Sequence, residues 1–445
     1  MRGLTSTALF TGLVLAACAE PPPDRDASTH DAGRAEAGTA TESQNAGAGN
    51  DAEVSSAHDA GSSTLDAQVG SAGNQAGAFP FPENKDYPHC TLPATDDTQV
   101  KAAWEKWKTQ AVVSGGATGV LRVRRWENAD DTVSEGIGYG LLAAVYFNDQ
   151  DTFDGLWKYS QLHLDNNGFM HWRVDAQGHE IDGNGNMLGA SARGAASDAD
   201  EDIAWALVMA HSQWGGRGAL DDDYIALARD LIDKIWRFEV DHSGGEVLKP
   251  GDNWGGASVT NPSYFAPAYY RVFGRVTGKV SDWDKVVDAS YKTLEASANP
   301  STGLVPAWCK SDGSNAGKEY YYQYDACRTP FRIALDYCLN GEPRAEAYLK
   351  KVATFFKGVG VSNIKDGYEL NGTPRSKNAS AAFAGPAGVS GLVGGELMDL
   401  ANDAYTELLV LGQQQPGQGY SYYNSSWHLL SLLMLSGNFL DYSTL

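Results

Sequence analysis

Positive charge is scarce in this 445-residue chain: 34 Lys and Arg face 56 Asp and Glu, a formal net charge of −22. Phosphate recognition depends on cationic side chains, so the balance argues against nucleic acid as a partner. It also disfavours an anionic membrane surface, and leaves neutral or cationic polymers as compatible ligands. Cysteine is sparse, with five residues, none in the close pairs of a zinc site. Strand-like alternation is nearly absent, which excludes a doubly wound sheet or an eight-stranded α/β barrel. No fixed repeat period stands out, so a solenoid of identical units is not expected.

Two N-terminal segments lack what a folded core requires. Met1-Arg2 followed by the apolar stretch Leu4 to Ala17 is too short to span a bilayer and reads as a targeting segment. It ends Leu15-Ala16-Ala17-Cys18, which resembles a bacterial lipoprotein box. Cys18 would then be lipidated and become the mature N-terminus, and Ala19 after it would favour outer-membrane sorting. An ordinary secretory signal is the alternative, and either way export is expected. Residues 18–78 are expected to form a tether: from Ala19 to Gly77 there is no Phe, Trp or Tyr, only Ala, Gly, Ser, Asp and similar residues. Such a composition cannot bury enough apolar surface to offset chain entropy. The remainder, 79–445, is long enough for a large core in one domain or two.

Cys90, Cys309, Cys327 and Cys338 remain after Cys18. In an exported chain they allow up to two disulfides in three connectivities, or free buried thiols.

Helical periodicity dominates after residue 79. Val100 to Ala111 places Trp104 and Trp107 on one face, and similar patterns run over 136–147, 199–213, 222–238, 264–276, 283–296, 328–339, 345–357, 394–411 and 423–435. Leu121 to Arg125 and Phe169 to Val174 read as short strands or extended loops. The loops are rich in Gly, Asn, Asp and Trp, and 12 Trp with 21 Tyr supply flat faces of the kind that stack on sugar rings. Helix count and loop chemistry suit a closed double ring of antiparallel helices with function in the loops.

Three acids sit in distinctive settings. Glu135 lies in Ser134-Glu135-Gly136-Ile137-Gly138-Tyr139-Gly140. Those glycines permit close approach of a helix or ligand, and the run lacks the Lys-Ser/Thr ending of a phosphate loop. Asp198 opens Asp198-Ala199-Asp200-Glu201-Asp202, where Ile203 stands at the position that an EF-hand loop reserves for Gly. Ser197-Asp198 therefore reads as a helix N-cap with an acidic first turn. Asp182-Gly183-Asn184-Gly185-Asn186 reads as turns. Asp325 lies in Tyr324-Asp325-Ala326-Cys327-Arg328, and Arg328 is placed to pair with it and depress its pKa. Separated carboxylates among aromatic platforms are what glycosidic bond hydrolysis requires.

Together these runs resemble glycoside hydrolase family 8. The resemblance rests on Ala196-Ser197-Asp198-Ala199-Asp200 through Trp214, the Glu135 run, Gly251-Asp252-Asn253-Trp254-Gly255 with Asn261 to Pro267, Tyr324-Asp325, and Tyr422 to Ser426. It covers about residues 85–440 and implies an all-α (α/α)6 barrel with an inverting mechanism that uses no metal and no cofactor. By the resemblance Glu135 is the general acid, Asp325 the base that activates water, and Asp198 the residue that holds the distorted sugar. Tyr324 and Arg328 would orient Asp325, Trp172 and Trp254 would stack on sugars, and Tyr420 and Tyr423 would line the cleft. Cys327 departs from the family pattern. Retention of Asp at 325 and the stretches Asn253 to Gly256 and Thr302 to Cys309 look closest to endoglucanases. The expectation is thus a monomeric enzyme acting on a β-glucan polysaccharide. Xylan or chitosan cleavage on the same fold is the alternative, followed by a binding protein without turnover.

Overall fold

The computed structural model describes residues 77–444. The expected signal segment, Cys18 and all but the last residues of the expected tether lie outside them.

Among the described residues twelve α-helices carry the fold: α1 (Asp97–Ala111), α2 (Ser134–Tyr146), α3 (Gln150–Ser160), α4 (Ser197–Trp214), α5 (Tyr224–Lys234), α6 (Pro267–Thr277), α7 (Val280–Ser297), α8 (Thr329–Asn340), α9 (Pro343–Val359), α10 (Ala381–Val389), α11 (Met398–Leu411) and α12 (Tyr422–Leu435). The even-numbered helices touch in a closed circuit, α2 to α4 to α6 to α8 to α10 to α12 and back to α2. Each odd-numbered helix packs outside a member of that circuit, with α1 against α12, α3 against α2, α5 against α4, α7 against α6, α9 against α8 and α11 against α10. This double ring is an (α/α)6 barrel.

The two rings differ in sequence because they differ in burial. Outer helices show one apolar stripe, such as Val100, Trp104, Trp107 and Ala111 on α1, or Tyr224, Ala228, Leu231 and Ile232 on α5. Inner helices are buried almost all round: every residue of α2 and α10, and all of α12 except Asn424. Gly138 of α2 permits that density, since a Cβ there would stand 3.0 Å from the Asp202 Cβ of α4.

Helices α3 and α10 were not foreseen by periodicity. The first is capped by the Asp149 carboxylate, which accepts from the Thr152 amide. The second, Ala381-Ala382-Phe383-Ala384-Gly385-Pro386-Ala387-Gly388-Val389, has no polar face to reveal a period. Where a single pattern ran over 222–238, α5 ends at Lys234 and a π-helical turn covers Ile235–Glu239.

Among the described residues three two-stranded antiparallel ribbons decorate the loops: β1 (Val112–Ser114) with β2 (Leu121–Val123), β3 (Thr132–Val133) with β4 (Arg173–Val174), and β5 (Val240–Asp241) with β6 (Val247–Leu248). One disulfide, Cys90–Cys338, ties the segment before α1 to α8, while Cys309 and Cys327 are free and buried.

Candidate active site

The inner helices bring their N-terminal ends to one end of the barrel. Glu135 is the second residue of α2, Asp198 the second of α4, and Arg328 the N-cap of α8. Tyr422 and Tyr423 open α12, and Ser380 is the N-cap of α10. Helix N-termini carry partial positive charge, so an acid in the first turn is favourably placed there. Burial of these acids also requires a cation, which Arg328 supplies.

Arg328 is the hub. Its Nη1 donates to Glu135 at 2.9 Å and also to Asp198, its Nε to Ser263 Oγ at 3.3 Å, and Nη1 approaches the Tyr139 hydroxyl at 3.4 Å. Asp325 lies farther off, 3.9 Å from Nη2. The expected pairing of Arg328 with Asp325 is present at that longer distance, while the guanidinium hydrogen-bonds Glu135 and Asp198. Because one guanidinium touches both carboxylates, the facing oxygens of Glu135 and Asp325 are separated by no more than about 9 Å.

Protonation follows from this geometry. Burial pushes the Glu135 carboxyl up to about 7 against the pull of Arg328, and the neighbouring Asp198 charge adds to the rise. The Tyr422 hydroxyl donates to Glu135 Oε1 at 3.0 Å and opposes it. Burial raises Asp325 too, which overturns the expectation of a depressed value; Arg328 and the Gln323 amide, 3.1 Å from Asp325 Oδ2, limit the rise. Behind Asp198, burial also holds Asp200, Glu201 and Glu239 well above the usual carboxylate range.

The aromatic residues form the walls. The Tyr324 hydroxyl donates to Asp366 at 2.9 Å, and its carbonyl accepts from the Tyr423 hydroxyl at 2.9 Å and from the Cys327 thiol at 3.2 Å. Cys327 is thus a packing partner under the tyrosines, and burial pushes its thiol far up, away from reactivity. Trp172 is half-buried and its carbonyl accepts from Ser134, the neighbour of Glu135. Trp254 is half-buried on the loop after β6, against Trp308 at 5.6 Å. Tyr420 stands apart from the acids, 5% exposed, between Trp126 at 5.7 Å and the Lys106 ammonium at 4.2 Å.

Ser197 does not cap α4 as expected. Ala196 occupies the cap position, and the Ser197 hydroxyl donates to the Lys249 carbonyl at 2.5 Å, fastening the helix start to the Trp254 loop. Sequence reasoning also passed over Tyr139, Ser263, Gln323 and Tyr422 as site residues. Tyr139 had a signal, four residues after Glu135 and so on the same helical face. Tyr422 had Gly136: a Cβ there would lie 3.0 Å from the Tyr422 hydroxyl, so glycine admits the tyrosine to Glu135. Among the described residues no group of three or more His, Cys, Asp or Glu is arranged to hold a metal ion.

Residues 79–437 match the family model described as glycosyl hydrolases family 8. The chain belongs to this family. It is accordingly a glycoside hydrolase. Endoglucanase 2 of Ruminiclostridium josui is 42% identical over 379 residues, 83% of this chain and 78% of that protein. Endoglucanase A of Acetivibrio thermocellus is 42% identical over 375 residues, 82% of this chain and 76% of the relative. Among solved structures, the β-1,3-1,4-glucanase of Paenibacillus sp. X4 superposes with a TM-score of 0.72 at 31% identity, covering 81% of this chain and 98% of that one.

Proposed function

We propose that this family 8 hydrolase is an exported, endo-acting β-1,4-glucanase that cleaves cellulose or mixed-linkage β-glucan with inversion. The observation that carries the reading is the meeting of Glu135, Asp198 and Asp325 around one buried guanidinium. Its relatives at 42% identity are named endoglucanases, which favours β-glucan over xylan or chitosan.

In this mechanism Glu135, protonated up to about pH 7, gives its proton to the leaving glycosidic oxygen. Asp325 takes a proton from a water that attacks the opposite face of the sugar ring. Inversion needs the two carboxyls roughly 6.5–9.5 Å apart so that water fits between substrate and base, and the bound of about 9 Å set by Arg328 is compatible with that range. Asp198 accepts hydrogen bonds from hydroxyls of the sugar at the cleavage point. Arg328 keeps the three carboxylates from repelling one another when the site is empty. Tyr324, with its hydroxyl engaged by Asp366, offers its ring to the sugar, and Tyr423 braces it from below. Trp172 and Trp254 supply stacking surfaces, with Tyr420 as the more remote aromatic. Export and a lipid on Cys18 belong to the same reading, as does a monomeric state.

The test is reducing-sugar release from carboxymethylcellulose, mixed-linkage glucan, xylan and chitosan, with an Asp325→Asn control. Release from glucans that vanishes in the control is expected, with the α-anomer as first product by NMR. Release from xylan or chitosan alone would overturn the substrate assignment. Incorporation of labelled fatty acid in wild type but not in Cys18→Ser tests the anchor.

A further inference from the structure

An aromatic row leaves the guanidinium of Arg328 and runs out along the loops. Tyr264 lies 4.9 Å from the Arg328 Cζ, Trp308 meets Tyr264 edge-on at 6.2 Å, and Trp254 packs on Trp308 at 5.6 Å. The row ends at Lys318, whose ammonium is 5.4 Å from the ring centres of both Trp254 and Trp308. Trp308 is fully buried, whereas Trp254 and Lys318 are half-buried and reach solvent.

Lys318 differs from two other lysines that come close to the aromatic loops in what it contacts. Lys249 spends its donors on the Phe238 and Asp252 carbonyls, and Lys106 on those of Gly412 and Gln414. Among the described residues, Lys318 has no hydrogen bond and no ion pair; its partners are the two indole faces. An ammonium has three donors, and here the protein uses none of them. Among the described residues no carboxylate forms an ion pair with its ammonium. Asp252 accepts from the Ala195 amide at 2.9 Å and from Asn167 at 2.6 Å. Glu319 is exposed, and its charge contributes to the raised value of Asp325.

A fixed cation beside a sugar platform sorts ligands by charge. We propose that Lys318 is a specificity-determining residue: it donates to hydroxyls of neutral β-1,4-linked glucose units at the Trp254 platform and repels the protonated amines of β-1,4-linked glucosamine. The proposal deepens the glucanase reading and rests on it. A net charge of −22 draws any cationic polymer toward the surface, so discrimination against it has to be local. Like charges about 6 Å apart at a protein surface alter an equilibrium by about three- to a hundredfold, depending on the local dielectric.

The experiment uses the full chain with Glu135→Gln to prevent turnover. Calorimetric titration with β-1,4-glucose and β-1,4-glucosamine hexamers, in mildly acidic low-salt buffer, gives a ratio of affinities. Lys318→Met is expected to shift that ratio toward glucosamine by about threefold or more and Lys318→Glu by about tenfold or more. Lys318→Arg, which keeps the charge and the aromatic contacts, should keep the parental ratio. High salt should erase most of the difference between the Lys and Glu forms. A ratio unchanged within about twofold in both the Met and Glu variants overturns the proposal, because the unscreened effect is expected to be larger. Failure of the glucanase reading looks different: the chain with Glu135 intact would release no reducing sugar from glucan, whatever the binding ratios do.

Discussion

The inner and outer rings of this barrel are built from helices of similar length under opposite constraints. Outer helices α1, α5, α9 and α11 bury a stripe and leave the rest in water; α2, α10 and α12 have almost no exposed residue. The inner ring also holds the ionisable groups that water would otherwise solvate: Glu135, Asp198, Asp202, Arg328 and Arg332 are all buried. Each such group needs a partner from another helix, as Arg332 on α8 takes both oxygens of Asp202 on α4 at 2.7 and 3.0 Å. Chemistry and closure of the ring therefore depend on the same contacts. The outer ring buries fewer such groups, Asp154 on α3 with the Tyr224 hydroxyl of α5 being one, and takes no part in the cluster around Arg328.

Substitutions in the two rings should separate accordingly. The largest effect belongs to Glu135→Gln, which keeps the shape and removes the proton; kcat should fall by about 10²–10⁴-fold with oligosaccharide affinity nearly unchanged. Activity comparable to wild type would remove Glu135 from the acid role. Next comes Arg328→Met, which leaves buried acids without their cation and should cost about 3–5 kcal/mol in denaturant unfolding. Arg328→Lys should not restore activity, because an ammonium lacks the planar fork that reaches several carboxylates. Loss of the disulfide through Cys90→Ser should cost about 2–5 kcal/mol, since the bond closes a very long loop. At the small end, Val410→Ser on the outer face of α11, where the valine is 61% exposed, should change stability by no more than about 0.5 kcal/mol. A shift of several kcal/mol there would erase the distinction between the rings.

pH sharpens the same comparison. Glu135, Asp200, Glu201 and Glu239 all have folded values raised by burial, so the folded state binds protons more tightly than the unfolded chain. Their stabilising contribution is complete below the ordinary carboxylate range and is lost as pH rises through the raised values, through about 7 for Glu135. On the outer ring, Glu342 is lowered to about 2, chiefly by its hydrogen bond with Arg344, and its contribution is lost instead as pH falls toward that value. Melting temperatures across a pH series should therefore decline on the neutral-to-alkaline side, and Glu239→Gln should flatten that decline. The alkaline limb of kcat/KM, which follows groups of the free enzyme, should fall near pH 7, where Glu135 loses its proton.

How far the fold was legible follows only in part from the same contrast. Period placed most helices of both rings, α1 within three residues at its start, but missed the short outer helix α3. The all-apolar α10 could not be placed in this way, because its signal is composition without period, and Pro386 lies inside it. Glu135, Asp198 and Asp325 were legible because glycines and aromatics mark their surroundings, and the structure brings all three to Arg328. The partner preference of Arg328 was not, since a spacing of three along the chain says nothing of contacts 130 and 193 residues away. Tyr422 was hidden beside Tyr423: only the entry angle of α12 decides which hydroxyl faces Glu135.

The Cys90–Cys338 bond spans 248 residues, and that separation orders events as the chain matures. An N-terminal thiol has to wait, unpaired, until α8 has emerged. In the interval Cys309 and Cys327 become available before the correct partner does. Thiol exchange proceeds through accessible thiolates, so protection depends on how quickly those two are covered. Both end fully buried, one against the cleft loops and one beneath the tyrosines. Packing of the catalytic end, which covers Cys309 and Cys327, thus also favours Cys338 as the partner of Cys90.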